Sequence, residues 1–263
     1  MTDSLSLNDI VDLQNFPLND AVFRCRCKKQ LDAHGVMTMY GFLRPSAVES
    51  IQCSGADQLR QAYFSTQKHT IYLSPKDPAY TDNHALNRQV VSSKGALTDD
   101  QIEASSALHQ LYDAAEFRDF LCAVLDEVEL FEYADPLSSV NLHFACEGQE
   151  LGWHFDNSSF AITLMIQKPE GGGVFEYVSC VRNADAGEMN FDSVDRVLDG
   201  DVRPQTLRMD AGDLVLFRGR NSLHRVTPVE GDTTRMLVVL AYNTEPDVAL
   251  SESARMTFYG RLQ

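Results

Sequence analysis

The sequence of 263 residues predicts a mainly β protein with some helix, a jelly roll (double-stranded β-helix) core supported by N-terminal helices. Three observations carry that expectation. From Val140 onward, about eight short runs suited to strands follow one another, separated by turn signals at regular spacing. Before them, 46–63, 98–112 and 115–128 show helical start signals or helical spacing. Finally, His154, Asp156 and His224 fall on strands of the second half, where a jelly roll brings side chains from both sheets into one mouth.

Taken in order, residues 1–20 are polar, with a short helix expected over 7–13. Over 23–31, basic residues alternate (Arg24, Arg26, Lys28), which predicts a strand, followed by a turn at Ala33-His34-Gly35. A second strand is expected over 36–43. Pro45 opens a helix over 46–63, because proline in the first turn sacrifices no intrahelical hydrogen bond. The stretch 74–97 has little periodicity but carries Pro75, Pro78, Asp82 and Asn83, and is expected as a long loop holding His84 and Arg88. Loops of that length inside a compact domain are often functional.

Two helices follow. The first, over 98–112, begins with the capping pattern Thr98-Asp99-Asp100-Gln101. The second, over 115–128, places Phe117, Phe120, Leu121, Val124 and Leu125 at helical spacing, as a core face. Strands are expected over 140–146, around His154, and over 160–167, 174–178, 206–209, 213–217, 224–228 and 235–242. Turns fall at Glu147-Gly148-Gln149-Glu150 and Glu170-Gly171-Gly172-Gly173, and a short helix is expected over 191–198. The whole is expected as one domain: a support region at 1–134, the jelly-roll core with its metal site at 135–245, and a closing segment at 246–263.

A formal net charge of −16 argues against nucleic acid or an anionic membrane as partner. A small-molecule substrate is expected instead, received by a local basic pocket if it is anionic. The N-terminus lacks the basic and apolar regions of a signal peptide, and no apolar run approaches the ~20 residues that span a bilayer. Cys25, Cys27, Cys53, Cys122, Cys146 and Cys180 are scattered and are expected as reduced thiols in a cytoplasmic protein. The oligomeric state is left open, a homodimer included.

His154 and Asp156 lie two apart, so on a strand both side chains leave the same face. His224 comes 70 residues after His154, on a late strand. Two imidazoles and one carboxylate on one side of a metal suit Fe(II) and leave positions open for substrate and oxygen. Arg235 follows His224 by 11 residues, within the apolar run 235–242, where a buried cation calls for an anionic partner. Alternatively, the histidines are ordinary half-buried side chains and Asp156 caps a turn with Asn157 and Ser158. A non-catalytic metal-binding jelly roll is a further reading, but it leaves Arg235 without purpose.

These residues resemble the Fe(II)/2-oxoglutarate-dependent oxygenases, through His154-Phe155-Asp156, then His224, then Arg235. Longer strings narrow the likeness: Asp135-Pro136, Gly152-Trp153-His154-Phe155-Asp156-Asn157, Gly172-Gly173-Val174-Phe175-Glu176-Tyr177, Ser222-Leu223-His224-Arg225-Val226-Thr227-Pro228 and Phe258-Tyr259-Gly260-Arg261. They are similar to small bacterial enzymes that include the free-amino-acid (lysine) halogenases and their hydroxylase relatives. The similarity is close over 135–261 and loose before it.

The resemblance implies a cupin-like core in which His154, Asp156 and His224 bind Fe(II) and Arg235 pairs with the distal carboxylate of 2-oxoglutarate. It implies reaction with O2, succinate and CO2 as co-products, and ascorbate as a stimulant. In the halogenases of that group a small residue replaces the carboxylate ligand and opens a site for chloride. Asp156 is retained here, so hydroxylation of a free amino acid or derivative is expected, with desaturation or ring closure as the alternatives at the same site. Strand alternation predicts that Asn141 and His143 face the cavity. The resemblance adds Arg88, Asn157, Asn243 and Glu245 as substrate-binding candidates; Trp153, the only tryptophan, is expected to pack behind the metal strand, and Tyr259 is either a pocket or a core residue.

Overall fold

Between Asp20 and Gly35 the chain is a helix, not the strand that its alternating basic residues suggest. In the computed structural model, which describes residues 5–263, this helix runs Ala21–His34. Asp20 Oδ1 accepts the Phe23 N–H at 2.6 Å, and Gly35, at φ 70°, returns its N–H to Leu31 O. Phe23, Cys27 and Leu31 recur every fourth residue and form the buried stripe. Four-residue apolar spacing therefore decides this element, and the basic residues occupy the wetter faces.

The helices are α1 Leu7–Ile10, α2 Ala21–His34, α3 Pro45–Gln58, α4 Ala107–Asp113, α5 Ala115–Leu125, α6 Phe191–Leu198 and α7 Glu252–Tyr259. The expected helix over 98–112 is shorter than the pattern suggested. Its capping box is present, but it starts only a 3₁₀ turn over Asp99–Gln101, and the Ser106 hydroxyl then caps α4 as a new start. Similarly, α5 stops where Asp126 turns left-handed at φ 68°.

The strands are β1 Val36–Met39, β2 Tyr63–Thr70, β3 Gln89–Leu97, β4 Val140–Ala145, β5 Leu151–His154, β6 Ala161–Gln167, β7 Gly171–Gly172, β8 Phe175–Val178, β9 Gln205–Leu207, β10 Leu214–Phe217, β11 Leu223–Val226, β12 Val229–Glu230 and β13 Arg235–Leu240. The second half of the expected loop at 74–97 is strand β3, which pairs with β2 along its length. No apolar alternation marks it because Ser92 and Lys94 face a polar cavity while Gly95 lies beneath the Phe64 ring.

All pairings are antiparallel. The order is β1-β10-β6-β13-β4-β3-β5-β11-β8-β9, with β2 beside β3, and the sheet curls into a half-barrel. The two-glycine strand β7 pairs separately with β12.

Alternation along the strands separates two interiors. Leu142, Phe144, Leu164, Leu216, Val238 and Leu240 leave one face and pack against α2 to α5 through Leu31, Phe117, Phe120 and Leu121. From the opposite face of the same strands, His143, Val215, Phe217, Arg235, Leu237 and Val239 enter the barrel. The helical layer therefore holds the strands from behind while the mouth stays open. Among the described residues, no helix is long and apolar enough to cross a membrane.

Phe120 is wholly buried between the Phe23 ring and the sheet. Phe120→Ala is expected to destabilise the protein by about 3–5 kcal/mol, the range for deleting a buried aromatic. Urea unfolding followed by far-UV circular dichroism measures it, with the midpoint shifted and the slope preserved.

Candidate active site

β5 and β11 run antiparallel and pair His154 directly with His224, leaving the two rings with centroids 4.2 Å apart. An irregularity between His224 and Val226 bends β11 just past its histidine. Each imidazole is oriented the same way. His154 Nδ1 donates to Gly152 O at 2.8 Å, and His224 Nδ1 donates to Ser222 O at 2.9 Å. Both Nε2 lone pairs are thereby left for a third party. Asp156 Oδ1 lies 3.8 Å from His154 Nε2 and 3.4 Å from His224 Nε2, and the three ligating atoms fall within 4.8 Å of one another. That is a set able to hold one metal ion.

Its electrostatics agree. Burial, then the neighbouring His224, pushes the His154 pKa down to about 3, so that ring is a neutral donor. Burial also works against charge on His224, but Asp156 outweighs it and raises its pKa. Burial would raise the Asp156 pKa, yet His224 and then His154 hold its carboxyl below the ordinary value, as an anion. Phe175 and Phe217 pack 5.6 and 4.9 Å from the His224 ring and keep that side dry.

Behind the triad an inner cavity of about 280 Å³ runs into the barrel, walled by Thr163, Phe217, Leu237 and Val239 among others. Arg235 enters it from β13. The residue is 4 % exposed, its Nε is buried with no hydrogen-bond partner, and it makes no ion pair among the described residues. Burial lowers its pKa to about 10, which still leaves it charged at neutral pH. An unpaired buried guanidinium facing a mostly apolar cavity is a site built for a carboxylate.

A second, outer cavity of about 650 Å³ opens on the other side of His154 and Asp156, between the β2–β3 ribbon and α7. Gln67 Nε2 donates to Thr257 O at 2.6 Å and ties the ribbon to the helix. Lys94 lines both cavities, with its Nζ 3.2 Å from the nitrogens of His143. Burial lowers the Lys94 pKa to about 8, partly offset by Asp156. Burial first, then Lys94 and Arg235, keeps His143 well below its usual range and therefore neutral.

Of the expected substrate residues, His143 faces the inner cavity and Asn157 lines the outer one. Asn141 is buried in a closed network: its amide donates to Leu137 O and Val140 O, and its Oδ1 accepts the Tyr259 hydroxyl at 2.7 Å. Tyr259 is thus a core residue. Arg88 spends its guanidinium on Asp195 of α6 and on Asp199 just past its end. Asn243 bridges to Phe131, and Glu245 is exposed; neither lines the cavities. Trp153 and Arg225 stack together on the outer side of the metal strands, with Arg225 also paired to Glu176.

Lys94 escaped the sequence reading, because Ser92-Ser93-Lys94-Gly95 has the texture of a loop. Two glycines escaped as well. A Cβ on Gly219 would collide with Asp156 Oδ2, and one on Gly173 would meet Arg235 Cδ at 3.0 Å. Each vacates space beside a site residue, a signal that only the folded chain carries.

The antiparallel half-barrel with this His-Asp-His mouth is the fold of the 2OG-Fe(II) oxygenases. The structure is similar to an oxidoreductase of the 2OG-Fe(II) oxygenase family from Burkholderia pseudomallei (12% identity, 86% of this chain and 92% of that one, TM-score 0.55). It is also similar to a Pseudomonas putida prolyl-4-hydroxylase (13%, 82% and 96%, 0.52) and to the non-heme alpha ketoglutarate dependent epimerase SnoN from nogalamycin biosynthesis (12%, 85% and 81%, 0.57). No curated protein matches the sequence. The family model described as Halogenase D (HalD) matches residues 26–258, and the chain belongs to that family.

Gly219→Ala forces Asp156 aside and is expected to weaken Fe(II) binding by about tenfold or more, the cost of disturbing the surroundings of a metal ligand. Anaerobic Fe(II) titration of the two proteins measures this, with circular dichroism confirming that the fold persists.

Proposed function

We propose that this protein is an Fe(II)- and 2-oxoglutarate-dependent oxygenase that hydroxylates an unactivated C–H bond of a small polar molecule, a free amino acid or close derivative. The observation that carries the reading is the pairing of a three-atom metal site with an unpartnered, buried Arg235 in the cavity behind it. A metal site alone would serve a storage or sensing module. The orphaned cation requires an anion as well.

Under this reading His154, Asp156 and His224 hold the metal, and the two Nδ1 hydrogen bonds to backbone carbonyls fix the rings so that binding needs no reorientation. Arg235 receives the distal carboxylate of 2-oxoglutarate in the fork geometry that a guanidinium offers. The apolar walls of the inner cavity, with Phe175 and Phe217 at its mouth, exclude water from the reacting end. When bound, Fe(II) with 2-oxoglutarate and O2 supplies the oxidation, 2-oxoglutarate being decarboxylated to succinate and CO2.

Hydroxylation is favoured over halogenation, despite the family's description, because the Asp156 carboxylate fills the position that a halide would need. Its place is defended by the missing side chain of Gly219. Among groups near the triad, Asp156 is also the anion that offsets the neighbouring cations.

Arg235→Leu is expected to raise the Kd for 2-oxoglutarate by about 100-fold, the loss of roughly 3 kcal/mol from two charge-assisted hydrogen bonds. Anaerobic titration of the Fe(II) protein with 2-oxoglutarate, read by calorimetry, checks this. Unchanged affinity would sink the reading. Aerobic incubation with Fe(II), 2-oxoglutarate, ascorbate and each proteinogenic amino acid should then show one that raises succinate release and gains one oxygen. A product that loses two hydrogens would move the outcome to desaturation or ring closure.

A further inference from the structure

The outer cavity differs in chemistry from the inner one. Its floor is the inward face of the β2–β3 ribbon, where Ser65, Gln67, His69, Ser92 and Lys94 project, and Ser251 and Thr257 of the α7 segment face them. Gln67 is committed to Thr257 O, and His69 and Ser92 to one another. His69 Nδ1 donates to Thr70 O, while its Nε2 accepts from the Ser92 hydroxyl at 2.7 Å. Lys94 is not. Its Nζ has the neutral ring of His143 at 3.2 Å and the Phe258 ring face at 5.8 Å, and no ion pair among the described residues. Beyond the His143 ring its ammonium has no hydrogen-bond partner among the described residues, at a junction that His154 and Asp156 also line.

Charge around the cavity is one-sided. Asp156, assigned to the metal, is the acidic residue among those that line it, whereas Lys68, Lys76 and Lys94 all do, and only Lys76 is paired, to Asp82. In a chain of net charge −16, the lining of this cavity therefore runs against the charge of the whole. Arg88, which could have supplied a second cation from outside, is held by Asp195 and Asp199.

We propose that Lys94 receives a carboxylate of the primary substrate, and that the outer cavity selects an anionic or neutral substrate over a cationic one. The inference rests on the oxygenase reading and deepens it. A carboxylate on Lys94 Nζ stands next to the triad, so the carbons attached to it are those presented to the metal. No lining carboxylate remains to receive a side-chain ammonium, so a cationic substrate would strand its charge beside Lys94. Lys94 would act as a specificity-determining residue, separate from the co-substrate role of Arg235.

The test uses the Fe(II) protein with saturating 2-oxoglutarate under anaerobic conditions, and calorimetric titration with L-glutamate, L-leucine and L-lysine, each against its α-carboxamide. At least one of the first two should bind about tenfold or more tightly than its carboxamide, and more tightly than lysine. Lys94→Met, with Lys94→Gln as a second variant in case the first fails to fold, should erase the gap between acid and carboxamide. Lys94→Arg should restore part of it, and the Kd for 2-oxoglutarate should stay within about twofold.

Binding that favours lysine, or a gap that survives in Lys94→Met, overturns the proposal. So does a wild-type protein that prefers none of the three acids to its carboxamide. A loss of 2-oxoglutarate affinity in Lys94→Met as large as in Arg235→Leu also overturns it, since Lys94 would then serve the co-substrate. The oxygenase reading stands or falls separately, on whether the wild-type protein binds 2-oxoglutarate through Arg235.

Discussion

The antiparallel register of β5 against β11 is the constraint on which the rest of the site depends. It sets His154 across from His224, two residues from Asp156, and turns three side chains scattered over 70 residues into a cluster within 4.8 Å. Everything around the pair maintains that register. The glycine at 219 gives Asp156 its space, and the carbonyls of Gly152 and Ser222 hold both rings to one tautomer. A one-residue slip would turn His154 and Asp156 together to the other face and leave His224 alone in the mouth.

The same two-residue period explains how one layer of strands serves both stability and chemistry. On β13, Met236, Val238 and Leu240 bury themselves against the helices while Arg235, Leu237 and Val239 face the cavity. Burying a guanidinium without a partner is costly, by several kcal/mol even after relaxation. It is tolerated because the neighbouring residues of the strand make a large apolar core on the opposite face. The stability reservoir and the costly buried cation are thus adjacent in sequence and opposite in space.

How much of this was legible in the sequence follows from the same physics. The second half was readable because its strands are apolar on at least one face, and because His-x-Asp on a strand constrains side-chain direction by itself. The short helix at 191–198 was readable as well, and α6 spans Phe191–Leu198. The 23–31 stretch misled because the two-residue rhythm of Arg24, Arg26 and Lys28 is noise on the solvent side of a helix. The decisive signal was the four-residue spacing of Phe23, Cys27 and Leu31. Strand β3 hid for the opposite reason: a strand that lines a polar cavity on one face and tucks a glycine beneath Phe64 on the other has no apolar rhythm. Lys94 was lost with it. The residues that shape a polar pocket are those least able to announce their secondary structure.

Net charge and site charge point in opposite directions here, and their separation matters. At physiological ionic strength, fields from exposed carboxylates fade over about 8 Å, whereas groups buried in the barrel are screened much less. The −16 of the whole chain therefore slows the approach of anions, while the field inside the cavities is set by Arg235, Lys94 and Asp156. An anion desolvated against those cations would be held more strongly than in water, since the low-polarity walls that make the cations costly to bury also strengthen their contacts. The apparent mismatch of an acidic protein with cationic cavities is thus a division of labour. The acidic surface repels anions at a distance, and the strands place the cations where only a ligand that enters the cavities would reach them.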